Sequence, residues 1–224
     1  MKKFFTTNWV LLLLLSACCS SAIAQTITPA TSTQKHAPGT EIRLGFTSAY
    51  FAAPYNNDIE SSGSKMGFYG GVIFDYPLKE KISLQTGLII SEKGGKIDAY
   101  DAGDRALRVD AIYAQIPVYV SLHFPIQRYG NTVYFNFGPY FGYGMMGKTK
   151  LYDESMYTFE SSGPMNQFDL GFGTDLQFEF KNRIIFTVGA DGGFVRSLKQ
   201  EWVTTDAILG NNSIYLSIGY KLKK

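Results

Sequence analysis

From Tyr113 to Gly147 the chain alternates between apolar and polar side chains, in two long runs. The first is Tyr-Ala-Gln-Ile-Pro-Val-Tyr-Val-Ser-Leu-His-Phe. The second is Val-Tyr-Phe-Asn-Phe-Gly-Pro-Tyr-Phe-Gly-Tyr-Gly-Met-Met-Gly, and Gln127, Arg128, Gly130 and Asn131 lie between them. Period-two alternation on either side of a polar turn predicts a β-hairpin. Each run is about a dozen residues, against ~5–6 for an ordinary strand and ~9–11 for a tilted transmembrane strand.

The same unit recurs along the chain. Strands are predicted over Glu41–Ala52, Met66–Tyr76, Lys81–Lys93, Arg108–Phe124, Thr132–Met146, Asn166–Phe180, Arg183–Leu198 and Ser213–Leu222. Short turns, Pro77–Glu80 and Lys181–Asn182 among them, alternate with long loops over 54–65, 94–107, 147–165 and 199–212. Short turns at one end and long loops at the other predict an all-β protein, an eight-stranded antiparallel up-and-down transmembrane β-barrel. Pro117 and Pro139 fall mid-strand, where proline cannot donate to the ladder, so each predicts a bulge or kink. The loop over 147–165 is the longest, and shortening it is expected to cost little, because closure entropy changes slowly with length.

Side-chain size indicates which face points outward. One face carries Gly, Ser, Thr and Asn; the other carries Phe, Tyr, Leu and Ile. The bore of an eight-stranded barrel is just wide enough for side chains to fill, so the small polar face is expected inside and the bulky one against lipid. Aromatics sharpen the reading. Tyr76, Phe124, Phe180 and Tyr220 end the apolar faces on the short-turn side, and Phe68, Tyr143, Phe168 and Phe194 end them on the other. Two such girdles suit the two interfaces of a bilayer. A soluble exported lipocalin-like carrier would invert the faces; it is the alternative.

Composition adds an address. Lys2 and Lys3, the apolar run Trp9–Leu15 and Ala22-Ile23-Ala24 read as a signal peptide over 1–24. Leu15-Ser16-Ala17-Cys18 also resembles a bacterial lipobox, which would lipidate Cys18. Residues 25–40 read as a disordered polar lead-in and 41–222 as the barrel domain. The expected location is the outer membrane of a Gram-negative bacterium. Both cysteines precede residue 20, so the body holds no disulfide framework. A formal charge of +2 argues against a nucleic-acid partner. The expected partners are outer-membrane lipid, the barrel-assembly machinery and a protein partner in a membrane complex.

Candidate chemistry is sparse. Arg43, Asp75, Asp169, Asp175, Glu179 and Asp191 lie on the interior-facing parity, where a polar network plugging the bore is expected. His123 beside Ser121 is the one Ser-His pairing, and a strand-packed histidine is the simpler reading. Asp98, Asp101 and Asp104 are spaced by three, not by the two of a calcium loop. No catalytic residue, cofactor or metal is expected, and an outer-membrane lipid-modifying enzyme is the third reading. Loop aromatics remain as a candidate interaction surface: Tyr152, Met156, Tyr157, Phe159 and Trp202.

A family resemblance follows. Tyr113-x-x-Ile116-Pro117 with Tyr119 resembles the Tyr-x-x-Ile-Pro strand of PorT-like barrels of Bacteroidetes outer membranes. Phe137-Gly138-Pro139-Tyr140-Phe141-Gly142-Tyr143 resembles that family's Gly-Pro-Tyr strand, and Asp169-x-Gly171-x-Gly173 the strand after its longest loop. The resemblance spans Glu41 to Leu222 and implies an exported eight-stranded barrel. The chain departs from the family at its end, Gly219-Tyr220-Lys221-Leu222-Lys223-Lys224, where relatives often stop on an aromatic. The expected function is a non-enzymatic structural, assembly or surface-interaction role through the long loops.

Overall fold

The structure, a computed structural model, describes residues 38–52, 59–99, 105–126, 129–151, 154–160, 163–199 and 210–222. The signal peptide, Cys18, most of the lead-in, Asp101, Asp104, Tyr152 and Trp202 lie outside the described residues.

Ten strands form in chain order: β1 (Gly39–Ala52), β2 (Ile59–Gly63), β3 (Lys65–Lys79), β4 (Ile82–Ala99), β5 (Arg105–Ile126), β6 (Asn131–Leu151), β7 (Glu154–Tyr157), β8 (Phe168–Glu179), β9 (Ile184–Gly193) and β10 (Gly210–Lys221). Eight of them close on one another. β1 pairs with β3 and the meander runs β3–β4–β5–β6–β8–β9–β10 back to β1, every pair antiparallel. Closure satisfies the backbone groups that an open edge would leave in hydrocarbon. β2 and β7 are short additions that pair only with β4 and β6.

The faces are arranged as the alternation predicts. Along β1, Ile42, Leu44 and Phe46 are exposed while Glu41, Arg43 and Thr47 are buried. Along β10, Ile214, Leu216, Ile218 and Tyr220 are exposed while Ser213, Tyr215 and Ser217 are buried. An outward apolar wall around a polar interior excludes the lipocalin-like carrier, whose apolar surface would line a cavity. Interior glycines make room for interior rings. A Cβ at Gly171 would meet the Tyr140 ring at 2.6 Å, so the small residue on β8 holds the space for the large one on β6.

Four features differ from expectation. First, β4, β5 and β6 run well past their predicted ends, so the segment over 94–107 is largely strand and not loop. Second, Glu154–Tyr157 pairs with Lys148–Leu151, which turns part of the segment over 147–165 into a hairpin. Thr149 there is fully buried and shares a 3.0 Å hydrogen bond with Thr158. Shortening this segment would remove packed structure as well as loop, so the expected low cost does not hold. Third, the turn after β8 has three residues. Phe180 N–H donates to Ile184 O, Arg183 N–H donates to Phe180 O, both at 2.8 Å, and Arg183 takes φ 69°. That is a three-residue hairpin with a left-handed last position. Fourth, neither proline sits at a register shift. The ladder lapses opposite Pro117, between Thr86↔Val118 and Ile89↔Gln115, and resumes in the same register. Pro139 pairs with Phe172 in an unbroken ladder on the β8 side, while on the β5 side the ladder lapses between Pro117↔Tyr140 and Val120↔Phe137 and resumes in the same register. The β5–β6 bulge lies elsewhere, between Ile112 and Tyr113, opposite Met146 and Gly144.

Lipid-face substitutions should be penalised by depth. Leu216, mid-strand on β10 and 62% exposed, is expected to lie deep in the hydrocarbon, and Leu222 at its turn-side end. Leu216→Arg should cost about 2–4 kcal/mol and Leu222→Arg about 0–1 kcal/mol, measured by denaturant unfolding from lipid vesicles. Equal costs at both positions would contradict the assigned depth.

Candidate functional site

The bore gathers buried ionisable side chains from most of the strands, and they fill it in tiers. At the short-turn end Lys221 Nζ lies 2.9 Å from Glu179 Oε2 and 3.2 Å from the Tyr134 hydroxyl, which itself donates to Glu179. In the middle, Arg43 forks onto Glu41 at 3.0 and 2.9 Å and reaches Asp175 at 3.6 Å. Asp175 also accepts from Asn136, from Gln177 at 3.1 Å and from the Tyr215 hydroxyl at 3.1 Å. Tyr215 stacks flat on Tyr69, centroids 4.3 Å apart. Higher up, Lys93 Nζ pairs with Asp169 Oδ2 at 3.1 Å, and the Tyr140 hydroxyl donates to the same oxygen at 3.2 Å. Tyr119 donates to Asp191 at 3.2 Å.

These positions follow from parity alone: each residue is on the inward side of its strand. The energetics follow from burial. The side chains of Arg43 and Lys93 are 2% and 0% exposed. A buried charge is tolerable only when paired, and removing one partner is far costlier than removing both. The pairs therefore seal the bore as much as they stabilise it.

Above the tiers sits an apolar cap. Phe51, Leu107, Val109, Ala111, Tyr113, Met165 and Leu198 form one buried cluster, and Phe159 packs against it. Phe159 meets Tyr113 edge-on, centroids 5.4 Å apart at 89°. Its ring lies over Gly144, where a Cβ would collide with it. Met165 and Leu198 are joined by an isolated bridge that ties together the segments following β7 and β9.

Of the loop residues singled out from sequence, Met156, Tyr157 and Phe159 are described, and these three do not share one exposed surface. Tyr157 is 63% exposed and Met156 half-buried, both on β7. Phe159 turns inward to the cap. The cap itself was missed, although Leu107, Val109 and Ala111 alternate with Arg108 and Asp110 in plain view.

His123 is packed within the barrel, and its neighbour is not Ser121. Its Nε2 lies 2.8 Å from Ser83 Oγ, and Ser83 donates to Asp75. Ser121 instead accepts from Gln85 at 3.5 Å. A nucleophilic triad places histidine between serine and carboxylate. Here the serine is in the middle and fully buried. Proton transfer to His123 would compete with donation to Asp75, and no substrate could reach Ser83. Among the described residues, no three His, Cys, Asp or Glu side chains converge on a metal-sized site.

A closed antiparallel ladder, an apolar outer wall and a filled polar bore define a small outer-membrane β-barrel. The chain belongs to the family described as "Outer membrane protein beta-barrel domain", whose model matches residues 25–201. No curated protein matches it by sequence. Among solved structures it is similar to the outer membrane protein OprG of Pseudomonas aeruginosa, at 14% identity and TM-score 0.50 over 84% of this chain and 97% of that one. It is also similar to Ail, the attachment invasion locus protein of Yersinia pestis, at 14% identity and TM-score 0.41 over 84% and 100%. Neisserial surface protein A matches at 10% identity and TM-score 0.44 over 84% and 100%. At these identities the likeness to OprG shows the fold.

The Lys93–Asp169 pair gives a direct test of the sealed bore. Asp169→Ala should destabilise the barrel by about 3–5 kcal/mol, because it strands a buried ammonium. The double variant Lys93→Met, Asp169→Leu should recover most of that loss. Urea unfolding of protein refolded into vesicles reads both. A cost below about 1 kcal/mol for Asp169→Ala would show that water reaches Lys93 through an open bore.

Proposed function

We propose that this chain is a non-enzymatic outer-membrane barrel that acts at its outer surface, as a structural or surface-interaction protein, and not by conduction. The observation that carries the reading is the filled bore beneath its cap: Arg43, Lys93 and Tyr215 occupy the interior, and the Phe51–Leu198 cluster covers it. An eight-stranded barrel has no spare width once such side chains are in place. What is left for a partner is the outer side. There β4, β5, β6 and β7 rise past the other strands and carry Tyr157, Arg108, Lys148 and Lys150 in the open. Function on projecting segments above a rigid scaffold is the usual division of labour.

The finer assignment, a PorT-like barrel exported through residues 1–24 to the outer membrane of a Gram-negative cell, rests on the Tyr113–Tyr119, Phe137–Tyr143 and Asp169–Gly173 motifs and on the basic, apolar and small-residue order of the N-terminus. Residues 147–165 remain the proposed contact region, with Tyr157 as its exposed aromatic. Tyr152 and Trp202 belong to the same proposal by sequence.

Two readouts on the full chain test this. Protein inserted into planar bilayers should give no discrete conductance steps, and a photo-crosslinking residue at position 157 should capture a protein in intact cells. Regular conductance steps would overturn the closed-bore reading. An empty crosslink at 157 would overturn the assignment of contact to this region.

A further inference from the structure

In the lower part of the bore each carboxylate is met from within. Lys221 and Tyr134 serve Glu179, and Ser83 serves Asp75. Arg43 is shared by Glu41 and Asp175, and Asp175 also accepts from Asn136, Gln177 and Tyr215. The upper tier differs. There two buried carboxylates, Asp169 and Asp191, face one ammonium, Lys93. Lys93 pairs with Asp169 Oδ2. Asp191, 6% exposed, makes no ion pair among the described residues and accepts from the Tyr119 hydroxyl. The tier is one positive charge short, in surroundings where an uncompensated charge is costly.

Unmet oxygens gather at the same level. Asp169 Oδ1 is buried without a hydrogen-bond partner, and so are Oδ1 and Nδ2 of the fully buried Asn211. Such groups are uncommon inside proteins and point to a bound species. Gly193 lies between them. It pairs with Gly171, so two positions without side chains adjoin on β8 and β9. A Cβ on Gly193 would stand 3.1 Å from Asp169 Oδ1, 2.9 Å from Asn211 N and 3.1 Å from Asn211 O. Asp191 is two residues along β9 and therefore on the same inward face. The Tyr140 ring covers Gly171 and walls the other side.

We propose that this cradle binds one monovalent cation of sodium size, held by Asp169 Oδ1, the Asn211 carboxamide oxygen and the Asp191 carboxylate. Oxygen donors of this kind suit a hard cation. Charge selects the valence. One monovalent ion together with Lys93 neutralises Asp169 and Asp191, whereas a divalent ion leaves the tier positive. Asp169 then bridges two cations, Lys93 through Oδ2 and the ion through Oδ1. Asn211 pairs with Phe51 of the cap, so the ion ties β8, β9 and β10 together at the base of the cap. Its role is structural and independent of any contact made by the outer segments.

The test refolds the full chain into phosphatidylcholine vesicles and unfolds it in urea, with sodium chloride or choline chloride at equal ionic strength. Above the dissociation constant, each ten-fold rise in sodium should lower the ratio of unfolded to folded barrel about ten-fold. Choline should have no such effect. Asp191→Asn removes the excess charge at nearly constant shape. It should abolish the sodium response and be at least as stable as the parent chain in choline. Asn211→Leu should weaken the response while keeping the mobility shift on boiling of a folded barrel. Equal stability of the parent chain in the two salts would overturn the proposal, as would a sodium response undiminished by either substitution. An infrared carboxylic-acid band that persists in sodium and is lost in Asp191→Asn would overturn it too, by showing that a proton supplies the missing charge.

Discussion

Everything in this fold depends on one constraint: in hydrocarbon, each backbone N–H and C=O must find a partner within the protein. Eight strands meet it by closing β10 on β1 over twelve consecutive register positions, Glu41↔Lys221 to Ala52↔Gly210. Closure at this strand number fixes the bore, and the bore fixes the interior composition. Large rings enter where glycine leaves room, as Tyr140 does at Gly171 and Tyr215 at Gly189. Charges can enter only as pairs, as Arg43 does with Glu41 and Lys93 with Asp169. The tightly filled interior is thus a consequence of the ladder.

The second consequence is a reversal of amphipathicity on β5. Below Ile112 the outward positions are apolar, Ile116 and Val120 among them, and the inward ones include Gln115 and Ser121. Above it the outward positions are Arg108 and Asp110, and the inward ones are Leu107, Val109 and Ala111. The strand does not change parity there; the surroundings of its outer face do. Lipid demands an apolar exterior, water a polar one, and the interior of the raised segment is then free to become an apolar cap. β6 shows the same boundary, passing from Phe141 and Tyr143 through Met145 and Met146 to Lys148 and Lys150. The reversal marks the upper edge of the hydrocarbon.

That reversal explains which parts of the structure were legible in sequence. The membrane-embedded strands were plain because Phe46, Phe141 and Leu216 keep one parity with bulky apolar residues. The ends of β4, β5 and β6 were not, because a rule tuned to apolar-outward alternation loses its apolar face above Ile112, so the strand was started at Arg108 and the paired residues of 94–99 and 105–107 were read as loop. The Met145-Met146 doublet breaks the alternation and was the visible trace of the bulge. The interior partners of Arg43 and Lys93 were legible as a set but not as pairs. Sequence gives the face a residue occupies, whereas pairing depends on shear and on which rings occupy the intervening space. His123 shows this most clearly. Its hydrogen-bonded neighbour is Ser83, 40 positions away across the β4–β5 ladder, and not Ser121 two positions away on its own strand.

The central claim is that the outward apolar face lies in lipid and the inward face does not. A spin-label scan along β10, residues 212–222, in lipid bilayers tests it most directly. Collisions with dissolved oxygen, which concentrates in hydrocarbon, should peak at Ile214, Leu216, Ile218 and Tyr220 and fall at Tyr215, Ser217 and Gly219. A water-soluble nickel chelate should stay excluded from Leu216 throughout. Nickel accessibility that peaks at Leu216 and Ile218, with oxygen flat along the strand, would place that face in water and contradict the account.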